Sequence, residues 1–193
     1  MDVADTLFDG LPVLDLLEIN PSTSVVARLT QRDQSSISRI YRQVSERLGL
    51  EFRKQSDGRY RASCNQVLLQ GLRRSSQWIR LQGHPAEPRW LACGQLQLSQ
   101  ASLLQPGDDP QRLMALIQER VIDLAVLNLS ESATLTPDPA LLLRPLLRHP
   151  AGVDQIVLRR DLEQQPAIQA LIATIERSYR QHLQQHPDLE WLG

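Results

Sequence analysis

The chain has 193 residues, 41% apolar and 22% charged, the balance of a soluble globular protein with room for one large domain or two small ones. No stretch approaches the roughly 20 uncharged apolar residues that cross a bilayer, and the start, MDVADTLFDG, is acidic where a secretion signal is basic, so a cytoplasmic protein is expected. The net charge of -1 conceals an asymmetry: twelve bases against four acids between Asn20 and Arg80 give +8, and the chain from Leu81 onward carries -4. A basic half joined to an acidic half points to a polyanion as partner of the first half.

Leu11 to Ile19, LPVLDLLEI, reads as a short apolar helix ended by Asn20-Pro21. Ser22-Thr23-Ser24 supplies N-cap hydroxyls to a second short helix, VVARL. A third helix runs from an N-cap at Asp33, whose carboxylate is expected to accept from the first turn, to Gly49 in the left-handed position past its end. Its residues Ile37, Ile40, Tyr41, Val44 and Leu48 fall on one face. LEFRKQSDGRYRA then alternates around Asp57-Gly58, a strong hairpin signal. A longer helix, CNQVLLQGLRRSSQWIRL, follows Ser63, with Gln66 three residues on as in a capping box. Leu68, Leu72 and Ile79 lie along one side of it.

GHPAEPR, residues 83–89, marks the domain boundary. Beyond it RWLACGQLQLS has period two and reads as a strand, Asp109-Pro110 opens a helix over QRLMALIQER, and VIDLAVLN is the unbroken apolar run of a strand covered on both faces. Together they make a βαβ unit. LLLRPLL and QIVLR read as further strands. PAIQALIATIERSYRQHL closes the chain as an amphipathic helix with Ile168, Leu171, Ile172, Ile175 and Tyr179 on one face. The fold class expected is α/β overall. Residues 1–62 form an all-α winged helix-turn-helix, 63–82 a linker and dimerisation helix, and 88–193 a small α/β domain.

In helix-turn-helix modules the second helix of the pair enters the major groove. Here its outer face offers Gln34, Ser35, Ser38, Arg39 and Arg42. Gln pairs with adenine and Arg with guanine through two hydrogen bonds each, and Ser serves either. Arg53, Lys54 and Arg59 flank the wing, where they can neutralise phosphates; Arg42 can reach base or phosphate. Many surface helices are rich in these residue types without binding anything, so composition alone does not decide between a DNA face and a solvated one.

The stretch from Ser22 to Gly49 resembles the DNA-binding module of LysR-type transcriptional regulators. Ser22 and Ser24 match that family's Ser-rich start, Val26-Ala27 its pair of small residues, Gln34-Ser35-Ser36-Ile37-Ser38-Arg39 its recognition-helix signature and Leu48-Gly49 its end. The resemblance covers about residues 10 to 80 and is most specific at Gln34 to Arg39. It departs at Asp33, where the family has Ser, and at Thr30, where the family has an apolar residue and Leu29 is the expected substitute. The resemblance implies dimers, paired through the helix after the wing at Leu68, Leu72 and Ile79, and binding to double-stranded DNA as a homodimer or homotetramer. ALIQERVIDLAVLN and QIVLRRDLEQQPAIQALIATI are similar to parts of the family's periplasmic-binding-protein-like effector domain. Only about 110 residues follow the linker, enough for one lobe. The family binds its small-molecule effector between two lobes, so such a site would lack its second half, leaving an oligomerisation role.

His182, His186 and Glu190 are spaced by four, which on a continuous helix could hold a metal, but Pro187 interrupts the run and a solvated tail is the expectation. Cys64 and Cys93 read as small structural residues rather than a disulfide or redox pair. Asp123 reads as a structural acid at a strand start. No phosphate loop, nucleophile motif or acid pair is present, so neither an enzyme nor a cofactor is expected. The functions in competition are a DNA-binding regulator and a protein-interaction module that keeps the fold, pairing through residues 64–81, without DNA contacts.

Overall fold

The computed structural model describes residues 10–93, 109–129, 138–186 and 189–193. Among them the fold is mixed α/β, with six α-helices, a two-stranded sheet and a five-stranded sheet. The chain divides into two compact units, Met1–Trp78 and Ile79–Gly193.

The first unit opens with α1, Leu11–Ile19, buried along nearly its whole surface. α2 is Thr23–Leu29; the Ser22 hydroxyl caps it by accepting from Val25 N at 3.4 Å. α3 is Gln34–Arg47, and a hairpin of β1, Arg53–Lys54, and β2, Tyr60–Arg61, follows. α4, Gln66–Gln82, runs on from the hairpin. The core gathers Leu11, Leu14 and Leu17 of α1, Val26 and Ala27 of α2, and Ile37, Ile40 and Val44 of α3, with Leu50, Phe52 and Leu69. The described elements of this unit thus run as three helices, a hairpin and a fourth helix.

Charge is buried in this core as well. Arg73 of α4 is 2% exposed, and its guanidinium donates to Asp15 Oδ1 at 2.9 Å and to Glu18 Oε1 at 2.7 Å, both carboxylates on α1. Burial alone would lower the Arg73 pKa, but the charges of Asp15 and Glu18 outweigh it and raise it above its ordinary value. Breaking such a cluster costs more than forming it gains, because a charge is left in a low dielectric.

Three local expectations are corrected. Asp33 stands at the N-cap of α3 in extended conformation, but its carboxylate makes no capping hydrogen bond. Ser63 forms no capping box. Ser63 N and Cys64 N both donate to Leu50 O, the Ser63 hydroxyl is spent on Glu51 Oε2 at 3.0 Å, and Asn65 turns the chain at φ 51°, so α4 begins only at Gln66. Gln66 in turn donates to Ala62 O. Leu29 does not take the apolar place beside Thr30: it is exposed, and the Thr30 hydroxyl donates back to Val26 O at 2.8 Å. Leu72, on the same helix, is partly buried against the core of the first unit.

In the second unit the five strands are β3, Trp90–Cys93; β4, Leu124–Leu129; β5, Leu141–His149; β6, Gly152–Arg159; and β7, Glu190–Trp191. Their order is β3-β4-β6-β5-β7, with β3 and β4 parallel and the other pairs antiparallel. α5, Pro110–Gln118, lies between β3 and β4 in the chain and starts as expected, with Asp109 Oδ1 accepting from Gln111 N at 3.0 Å. α6 is Pro166–Gln185, after a 3-10 turn at Arg160–Leu162. Leu124 and Val126 of β4 join the cluster under Ile168, Ile172, Ile175 and Tyr179 of α6; the alternate Ala125 and Leu127 are buried too, and α5 packs on β4. This is the two-sided burial that the apolar run implied. The rest of the strand expected over RWLACGQLQLS lies outside the described residues.

Buried polar groups tie these elements together. Asp123 accepts from Arg89 N at 2.7 Å and pairs with Arg80 at 3.0 Å, joining the starts of β3 and β4. Asp154 of β6 accepts from Tyr179 OH at 2.9 Å and from Asn128 Nδ2 at 2.9 Å, with His149 Nε2 3.2 Å away. No described helix is long and apolar enough to cross a membrane.

Arg73→Ala would strip two buried carboxylates of this guanidinium. It is expected to lower the unfolding free energy, measured by urea titration of the full chain, by about 3–5 kcal/mol. Arg74→Ala, on the exposed side of the same helix, is expected to change it by less than about 0.5 kcal/mol.

Candidate nucleic-acid interface

α3 buries Ile37, Ile40 and Val44, and helical geometry turns the polar residues outward. Gln34, Ser35, Arg39 and Arg42 are exposed and Ser38 is half-buried. The helix carries no acid from Gln34 to Gln43. Gly49 closes it at φ 59°, in the left-handed region, and Leu50 N returns to Ser45 O at 2.9 Å.

The expected hairpin is present. Gly58 takes φ 79° in the turn, and Asp57 Oδ1 accepts from Arg59 N at 2.9 Å. The wing is fastened to α3 in two ways. Ser45, buried on α3, accepts from Phe52 N at 2.7 Å. Tyr41 of α3 meets Phe52 and Tyr60 in an aromatic cluster, with ring centroids 5.4–6.3 Å apart. Burial there, with Tyr41 alongside, pushes the Tyr60 phenol above its ordinary pKa. Arg42 lies over the Tyr41 ring at 5.7 Å, within cation–π range.

The charge on the wing is not arranged for stability. Arg53 pairs directly across from Arg61, and both are exposed. Like charges opposite one another on a ladder destabilise it. Arg61 has Asp57 at 3.7 Å as partial compensation. Arg39, Arg42, Arg53, Lys54 and Arg59 form no ion pair among the described residues. In the second unit, by contrast, Arg80, Arg120, Arg144, Arg148 and Arg159 are each paired with an Asp or Glu.

The eight residues expected to face DNA are therefore presented on one unit by two fastened elements, five on α3 and three on or beside the wing. Of the residues expected to pair chains, Leu68 and Ile79 are exposed at 44% and 52%, as is the neighbouring Val67 at 85%, whereas Leu72 is half-buried. Sequence reasoning missed Ser45, although a small polar residue beside an apolar stripe is a signal for a buried hydrogen bond. It also missed Thr23 as a partner of Gln34, whose Nε2 donates to Thr23 Oγ1 at 2.9 Å. No pattern within a single helix reveals that contact.

Other candidate chemistry is thin. The His182 and His186 rings lie 4.3 Å apart, and no group of three or more His, Cys, Asp or Glu gathers at metal-binding distance among the described residues. Cys64 and Cys93 form no disulfide. A shallow hollow of about 400 Å³ runs beside Glu176, Arg177 and Arg180 on α6.

No protein-family model matches the chain, and no curated protein matches it. Solved structures similar to it include full-length OxyR of Pseudomonas aeruginosa, at 14% identity and a TM-score of 0.43, covering 73% of this chain and 58% of that one. Corynebacterium glutamicum OxyR in its oxidised form aligns at 18% identity and a TM-score of 0.33, over 71% of this chain and 50% of that one. A hydrogen-peroxide-bound mutant of the same protein aligns at 17% and 0.30, over 71% and 48%. The chain thus spans about half the length of these structures, and at such scores the likeness carries no functional argument.

Ser45→Ala removes the acceptor of a buried backbone N–H without touching the outer face. Its expected cost is about 1–3 kcal/mol of stability, read as a lowered midpoint in chemical denaturation, with Ser45→Thr recovering part of it.

Proposed function

We propose that the chain is a sequence-specific regulator of transcription of LysR type, which binds double-stranded DNA as a homodimer or higher oligomer and is not an enzyme. The observation that carries this reading is the contrast in how arginine is used. Arg39, Arg42, Arg53 and Lys54 of α3 and the wing stand exposed and form no ion pair among the described residues, and Arg53 opposes Arg61 across the hairpin. Arg120, Arg144 and Arg148 of the second unit pair with acids. Like charges gathered on one face repel one another until an anion arrives, and a row of phosphates is the anion that fits a groove-sized helix with a basic wing. The match of Gln34 to Arg39 with the family's recognition-helix signature supports the same reading.

In this arrangement Gln34, Ser35, Ser38 and Arg39 meet base edges, Arg42 meets base or phosphate, and Arg53, Lys54 and Arg59 meet phosphates. The apolar Leu68 and Ile79 left exposed on α4 favour pairing of two chains through that helix. Two-fold pairing would place half-sites about one helical turn, roughly 34–36 Å, apart or at multiples of it.

Affinity for duplex DNA measured across a salt series tests the reading. Log K is expected to fall steeply with log salt, and Lys54→Ala to lessen the slope by about 0.9. Arg39→Ala is expected to cost about 1–3 kcal/mol on the preferred site and much less on random DNA. A wild-type chain that ignores DNA at low salt would leave a protein-interaction module as the function.

A further inference from the structure

We propose that Thr23 is a positioning residue for sequence selection: it holds the Gln34 amide in the orientation that reads adenine. The inference rests on the DNA-binding reading above and adds a residue and a base to it.

Gln34 is the first residue of α3 and is exposed. A free glutamine in that place samples many rotamers, and binding must pay for ordering them. Here Gln34 Nε2 donates to Thr23 Oγ1 at 2.9 Å, across from the first turn of α3 to the first residue of α2. Of the three hydroxyls at the start of α2, Ser22 and Ser24 are engaged with each other at 2.9 Å and Ser22 also caps Val25. Thr23 is the one that hydrogen-bonds to α3.

The consequence for recognition follows from counting hydrogen-bonding groups. A glutamine amide has two N–H donors and one carbonyl acceptor. With one N–H given to Thr23, a single donor and the Oε1 acceptor remain. In the major groove adenine presents the N7 acceptor and the N6 amino donor, which this pair satisfies. Guanine presents two acceptors, cytosine a donor alone, and thymine an acceptor beside a methyl group, so none uses both remaining groups.

The test uses the full chain. Its preferred duplex is first selected from a random pool, and the position read by Gln34 is identified as the one whose preference disappears in Gln34→Ala. Affinity is then measured on four duplexes that differ only in that base pair. The wild type is expected to prefer adenine there. Thr23→Val is expected to reduce the preference by about two- to tenfold, the ordering cost of one rotamer-rich side chain, with affinity for random DNA and the unfolding midpoint unchanged. Thr23→Ser is expected to restore it, and Thr23→Val in the Gln34→Ala background to have no further effect. A preference for another base, or an adenine preference indifferent to Thr23→Val, would overturn the inference and leave DNA binding standing. A wild type that selects no duplex at low salt would overturn both.

Discussion

α3 can bury only one of its faces, and the rest of the proposed interface follows from that constraint. Ile37, Ile40 and Val44 occupy the core with α1 and α2, so helical geometry leaves Gln34, Ser35, Arg39 and Arg42 no place but the outside. The wing inherits its position from the same helix. Ser45 holds Phe52 N, and Tyr41 packs on Phe52 and Tyr60, so Arg53 and Lys54 are carried on a strand anchored at both layers. A site assembled on packed elements is more rigid than one built on loops.

The charge cluster beneath complements that constraint. Arg73 joins α4 to two acids of α1, in a place where an apolar contact would do as well or better for stability alone. What the ion cluster adds is direction, because a guanidinium shared between Asp15 and Glu18 admits few rotations of α4 against α1. The same chain therefore treats arginine in three ways. Arg73 is buried and doubly paired, Arg120, Arg144 and Arg148 of the α/β unit are paired with acids, and Arg39, Arg42 and Arg53 are left open.

Much of this was legible in the sequence. Apolar runs, caps and periodicity together located the six described helices, Asp57-Gly58 located the hairpin, and Asp109-Pro110 located the start of α5 with its cap. The unbroken run LAVLNL marked the strand covered on both faces. What escaped depends on partners distant in the chain. Asp15 and Arg73 are 58 positions apart, and Asp154 meets Tyr179 across 25. The capping errors have a related cause. Ser63 matched a capping pattern, but its backbone was already committed to Leu50 and its hydroxyl to Glu51, so tertiary hydrogen bonds overrode the local signal. Asp33 sits where a cap belongs without making the bond.

The claim that the open arginines of the first unit meet DNA can be tested at those side chains. Covalent labelling of arginine by a dicarbonyl reagent, read residue by residue by mass spectrometry with and without duplex DNA at low salt, reports their accessibility directly. DNA is expected to protect Arg39, Arg42 and Arg53, all exposed in the free chain, and to leave the exposed Arg177 and Arg180 of α6 as reactive as before. Equal labelling of all five with DNA present, or protection confined to Arg177 and Arg180, would contradict the account.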